Sequence, residues 1–106
     1  MKPETVNILG KVYKIEYVDK PSDVDIYKRE SLWGQIDFWT RTIRIYDNGR
    51  TDADLWETLI HEVLHGIASE LNLSSLEKDE NHDELDCLGI ALTDVLFRNG
   101  WIKETG

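Results

Sequence analysis

The stretch Leu55-Trp56-Glu57-Thr58-Leu59-Ile60-His61-Glu62-Val63-Leu64-His65-Gly66-Ile67-Ala68-Ser69-Glu70-Leu71 decides how this chain folds. Apolar side chains recur at Ile60, Val63, Leu64, Ile67 and Leu71, the three-and-four spacing of one helix face. Just before it, Thr51 can cap a helix, and the carboxylates of Asp52 and Asp54 favour the positive end of a helix dipole. Asn72-Leu73-Ser74-Ser75 breaks the pattern. A helix is therefore predicted from about Asp52 to Leu71. Within it lies His61-Glu62-Val63-Leu64-His65. Residues four apart share a helix face, so both imidazoles can reach one metal ion, and Glu62 is placed to take a proton from water.

Working back toward the start, the chain reads as strands. Val6–Leu9 and Val12–Val18 flank Gly10-Lys11, and Tyr13, Ile15 and Tyr17 alternate with their neighbours as in a half-buried strand. The two runs predict a hairpin with a glycine turn. Asp19-Lys20-Pro21-Ser22-Asp23 is a loop by its turn residues, and residues 24–33 are either a short helical turn or an irregular link. Gln35–Trp39 and Thr42–Tyr46 predict a second strand pair around Thr40-Arg41, followed by a turn at Asp47–Arg50.

Working forward, residues 76–81 are charged, and a second helix is expected from about Glu80 to Arg98. Its apolar face is read as Leu85, Leu88, Leu92, Val95 and Leu96, and Asn99-Gly100 is a stop. Trp101-Ile102 is expected to fold back on the core, Cys87 to be a small buried side chain, and Asp94 to be solvated. Trp33, Trp39, Trp56 and Trp101 are expected in the core or on a sheet face, with one or two walling a cleft. Strands followed by two helices make an α+β domain: a small, twisted, mostly antiparallel sheet of two N-terminal strand pairs, with two packed helices after it. At 106 residues it is one domain, residues 1–106.

Composition narrows the function. At 41% hydrophobic and 31% charged, the chain has a globular make-up. Its apolar runs fall short of the ~20 residues needed to span a bilayer, and Met1–Thr5 has no apolar export signal. A single cysteine excludes an internal disulfide and fits a reducing cytoplasm. A formal charge of -9 argues against nucleic acid as partner, because phosphate contacts need Lys and Arg.

Catalytic zinc takes three protein ligands and keeps a position for water, whose pKa it lowers toward ~7. Glu62 would serve as general base and return the proton to a leaving amine. His61 and His65 supply two ligands, and the third is sought on the second helix. At about 100° per residue, His61 and His65 lie roughly 60° and 100° beyond Leu64, and His82 and Asp86 lie at the same offsets beyond Leu85. Helices packed through those leucines would present both polar pairs on one side. His82 is the expected third ligand, with Asp86 as the carboxylate that receives a ligand's free ring N–H. Asp86 as a direct ligand is the main competitor, and Glu84 ranks lower. Tyr27, Tyr46, Arg41 and Arg44 are candidate donors to a developing oxyanion.

With these residues in view, the chain resembles the HExxH zincins, and among them small phage-associated proteins related to the ImmA/IrrE metallopeptidases. The resemblance rests on Gly34–Asp37, Thr42–Ile45, Thr58–Ile67 and Leu88–Trp101. It implies a minimal zincin fold, Zn²⁺, a protein or peptide substrate, and a cytoplasmic setting, often a phage-infected cell. The family's third ligand is commonly a glutamate, and the matching position here is His82. The activity this resemblance implies is that of a zinc metallopeptidase, an endopeptidase with Glu62 as general base. The alternative is a non-catalytic binding or inhibitor module that keeps a zinc site, motivated by how little wall a chain this small has for a groove.

Overall fold

A computed structural model of the chain describes residues 2–73 and 82–102, with positions 82 and 83 described by backbone alone. The described residues form a four-stranded sheet and two helices: β1 (Thr5–Ile8), β2 (Lys11–Val18), β3 (Gly34–Asp37), β4 (Thr42–Tyr46), α1 (Asp52–Glu70) and α2 (His82–Arg98). The α+β architecture expected from the sequence is present, and both strand pairs form.

The β1–β2 hairpin turns at Leu9-Gly10, both with positive φ (51° and 91°). That pairing of left-handed residues matches the twist of the flanking strands, and Asn7 Oδ1 accepts a bond from Gly10 N–H at 2.8 Å. β3 and β4 pair antiparallel, with Gly34 opposite Ile45 and Asp37 opposite Thr42. The sheet order is β1-β2-β4-β3. The two hairpins join through a parallel pairing of β2 with β4, Lys14 opposite Thr42 and Val18 opposite Tyr46. The sheet is thus mixed, and β3 is an edge strand.

One face of the sheet carries the core. Ile8, Tyr13, Ile15, Ile43 and Ile45 pack with Leu55 and Leu59 of α1. Burying each large apolar side chain there stabilises the fold by about 1.5–3 kcal/mol. On α1, Leu55, Leu59, Glu62, Val63 and Gly66 lie within one angular sector facing the sheet, whereas Ile60, Leu64 and Ala68 lie on the opposite side. Ile60 and Ala68 are nonetheless buried, because α2 packs on that side. The helix is a middle layer with two apolar faces, and His61 and His65 fall on the flank between them. The predicted stripe is corrected at its end, where Leu71 is exposed. Asn72 takes the left-handed conformation (φ 55°) that ends α1, and Leu73 N–H bonds back to Ala68 O at 2.8 Å, a Schellman-type close.

The packed face of α2 also differs from the one expected. Leu85, Gly89 and Thr93 are buried, while Leu88, Leu92 and Val95 are exposed. Small residues bring the helix axes close, and Thr93 hides its hydroxyl by donating to Gly89 O at 2.6 Å. Hydrophobicity points to the leucines; close packing selects the small side chains. Cys87 is exposed, on the side of α2 opposite Leu85, Gly89 and Thr93. Trp101 does not return to the core and is 69% exposed. Asp94 is solvated as expected and pairs with Arg98 at 2.8 Å.

Residues 24–33 form an irregular link after a 3₁₀ turn at Pro21–Asp23. Its anchor is Asp25, fully buried. That carboxylate accepts from Tyr27 N–H, Arg29 N–H, the Arg29 guanidinium and Gln35 Nε2, all at 2.9–3.4 Å. Gln35 Oε1 in turn accepts from Ile26 N–H at 2.9 Å. The link is stapled to β3 by these bonds.

Candidate functional site

His61 and His65 lie on adjacent turns of α1, and their Nε2 atoms are 3.1 Å apart. Two nitrogens bound at ~2.0–2.1 Å to one tetrahedral ion stand roughly 3.3 Å apart, so the pair fits a shared metal with almost no adjustment. His61 Nδ1 is 2.9 Å from Asp86 Oδ1 across the helix interface. An ionised carboxylate can only accept, so the ring proton belongs on Nδ1 and the lone pair of neutral His61 on Nε2. Such a carboxylate orients the ring and raises its basicity. Glu62 is buried, with Oε2 3.9 Å from His61 Nε2.

Two glycines set the spacing. At Gly34, a Cβ would stand 2.6 Å from Thr58 Cγ2 and 3.2 Å from Glu62 Oε2, so the absence of a side chain lets β3 pass directly over Glu62. At Gly89, a Cβ would meet His61 Cα and Cβ at 3.6 Å. That is ordinary contact, and it shows how closely α2 runs against the backbone of His61.

Of the residues singled out in the sequence, His61, Glu62, His65 and Asp86 come together. Asp86 is the orienting carboxylate, but the histidine it meets is His61, on the other helix. It touches the outer ring nitrogen, away from the pair of Nε2 atoms. Glu84 is exposed. His82 opens α2 one turn ahead of Asp86; its side chain lies outside the described residues. Among the described residues, no group of three or more His, Cys, Asp or Glu side chains is gathered to hold a metal.

An open groove of about 1350 Å³ passes the histidines, with β3 as one wall and α1 as the floor. Of the four candidate oxyanion donors only Tyr46 lines it. Tyr27 donates to Asp37 at 3.1 Å, Arg44 donates to Asp23 O at 2.9 Å, and Arg41 sits exposed in the β3–β4 turn.

Arg50, which no sequence pattern flagged, organises one end of the groove. Its guanidinium donates to Tyr46 O, Asp54 O and Thr58 Oγ1 at 2.7–3.0 Å. It also lies 4.6 Å over the ring of Trp33. This ties the end of β4, the first turns of α1 and the entry to β3 to one side chain. Trp33 walls the cleft, Trp56 packs half-buried against the core, and Trp39 is 90% exposed.

The hydrogen-bond parity of β3 matters for the groove. Tyr46 N–H bonds to Trp33 O at 2.9 Å, which makes 33/46, and so 35/44 and 37/42, the bonded pairs. The N–H and C=O groups of Gly34 and Ile36 therefore turn away from β4, toward the free edge and the groove.

Compared with known protein families, curated proteins and solved structures, the chain matches none. Among the described residues, no helix is long and apolar enough to cross a membrane.

Proposed function

We propose that this protein is a zinc-dependent metallopeptidase of the zincin type, acting on an extended segment of a protein substrate. The observation that carries the reading is the convergence of the two Nε2 atoms, 3.1 Å apart, with the buried carboxylate of Glu62 beside them at the edge of β3. His61 and His65 would hold the ion, with His82 as the third ligand and Asp86 orienting His61. A zinc ion held there supplies Lewis acidity, which acidifies water and polarises a carbonyl. Glu62 takes the proton from the attacking water and delivers it to the departing amine nitrogen. Gly34 and Ile36 hold an incoming peptide by strand addition, their outward N–H and C=O groups bonding to its backbone. Of the candidate oxyanion donors, Tyr46 alone is among the residues lining the groove.

The groove supports this reading over a non-catalytic module, because a wall and floor flank the proposed metal position. A cytoplasmic site of action, in a phage-infected cell, belongs to the same proposal through the family resemblance.

The test compares wild type with Glu62→Gln after zinc loading, using unfolded casein as substrate. Wild type is expected to cleave. The variant is expected to bind zinc equally and to lose about 10²-fold or more in rate. Equal activity in both, or no cleavage by wild type, overturns the proposal.

A further inference from the structure

The helix α2 has two apolar sides, and α1 covers only one of them. With Leu85 at zero and about 100° per residue, buried Gly89 and Thr93 fall at about 40° and 80°. Glu84, Leu88, Ala91, Val95 and Arg98 fall at about −100°, −60°, −120°, −80° and −140°, with Leu92 beside them at about −20°. All six are exposed, and Leu88, Leu92 and Val95 remain 49%, 40% and 43% open to solvent. The first five are spaced four, three, four and three apart, the repeat by which one helix seats along another. Asp86 and Ile90, which line the groove, lie on the other flank of the packed side, at about 100° and 140°. A molecule seated on the stripe therefore leaves the groove open.

The charges at its two ends select the molecule. Glu84 opens the stripe and Arg98 closes it, each seven residues from Ala91. Turned end over end about a two-fold axis at Ala91, the stripe is its own complement. Glu84 of each copy then stands level with Arg98 of the other, and Leu88 of each fits between Ala91 and Val95 of the other. A parallel arrangement would instead set Glu84 against Glu84 and Arg98 against Arg98. Arg98 already pairs with Asp94 at 2.8 Å, but Asp94 lies on the outer side of the helix, at about 180°. Arg98 keeps that bond and meets Glu84 of the second copy from the stripe side. Ala91, small and on the axis, lets the two helices approach to about 8 Å.

We propose that α2 carries a self-association surface: two copies of this chain pair through Leu88, Ala91, Leu92 and Val95 of antiparallel α2 helices, closed at both ends by ion pairs between Glu84 and Arg98. The pairing is independent of the peptidase reading. A one-helix seam buries about 500 Å² per copy, below the standard interface. The charge of -9 on each copy also opposes every encounter. The dimer is therefore weak, with a dissociation constant of roughly 10–100 μM.

Sedimentation equilibrium from about 5 to about 500 μM protein, at about 0.15 M salt to screen charges more than ~8 Å apart, should show monomer passing into dimer. Monomer at every concentration overturns the proposal. Leu88→Glu, checked for folding by its melting curve, should stay monomeric; a dimer that survives it overturns the assignment to this stripe. Glu84→Arg and Arg98→Glu should each weaken the dimer by roughly three- to tenfold, and the double exchange should recover most of the loss. A double variant no tighter than either single one overturns the ion pairing. Mild oxidation tests the direction. Ala91→Cys in a Cys87→Ser background should cross-link across the axis. Wild type should not, because its two Cys87 residues stand about 12 Å apart along the helices, beyond disulfide reach. Equal cross-linking of the two proteins overturns the antiparallel register.

Discussion

Asp86 on α2 accepts a hydrogen bond from Nδ1 of His61 on α1 at 2.9 Å. The contact joins the two helices at the point where the chemistry is proposed. It lies one turn from Gly89, where a Cβ would already be in van der Waals contact with His61 at 3.6 Å.

Removing that carboxylate should be felt at the metal more than in the fold. Asp86 is 45% exposed at its side chain, so its contribution to stability is modest. Asp86→Ala should lower zinc affinity by about ten- to hundredfold, read by competition with a chromogenic chelator. Asp86→Asn, which keeps an acceptor and loses the charge, should fall between. Unchanged affinity in the alanine variant would remove the orienting role.

The two glycines nearest Glu62 and His65 should respond differently to alanine. At Gly34 the new methyl meets Thr58 Cγ2 at 2.6 Å, and the hydroxyl of Thr58 is held by Arg50 at 2.7 Å, so that side chain cannot swing aside. A loss of about 1–3 kcal/mol is expected, with Glu62 displaced. At Gly66 the obstacles are Ile8 Cδ1 at 2.7 Å and Ile36 Cδ1 at 3.2 Å, both tips of side chains that can rotate. Alanine also gains up to ~1 kcal/mol of helix propensity there, leaving a net loss of about 0–2 kcal/mol. Denaturant unfolding of both variants gives the order; a costlier Gly66→Ala would refute it.

Asp25 makes stability depend on acid. Burial is the largest single influence and pushes its carboxyl up. The bonds from Arg29, Tyr27 N–H and Gln35 together outweigh it and hold the group well below the usual carboxylate range. A depressed folded value means that its contribution is complete above the unfolded value of ~3.9 and is lost as pH falls through the lower, folded one. Wild type should therefore lose stability on acidification below about pH 4 more steeply than Asp25→Asn, which is weaker at neutral pH but lacks this titration. Thermal melts of both across that range should converge; parallel curves would refute the assignment.

How much of this was legible beforehand depends on the kind of interaction. Periodicity located α1 to within a residue of its observed end, because capping by Thr51 and the break at Asn72 are local. It located the hairpins for the same reason. It did not locate the packed face of α2, where Gly89 and Thr93 win by being small and Leu88, Leu92 and Val95 lose. Hydrophobic spacing carries no information about how near two axes come. The histidine pair and Glu62 were visible as a motif, and Asp86 as a carboxylate of the site. That Asp86 serves His61 depends on how the two helices sit in register, a long-range relation. Arg50 had no signal at all: a lone arginine after a turn looks solvated until Trp33, Tyr46 and Thr58 fold around it.

The outward-turned backbone of Gly34 and Ile36 has a cost for the protein as a solute. An unpaired strand edge accepts any extended chain, including the same edge of a neighbouring copy. Aromatic residues at its ends, Trp33 and Trp39, would favour that stacking. The strand is only four residues long, and like charge keeps copies apart while the chain carries -9. Near the isoelectric point of about 4.7 that repulsion disappears. Colloidal stability then rests on the shortness of one edge strand.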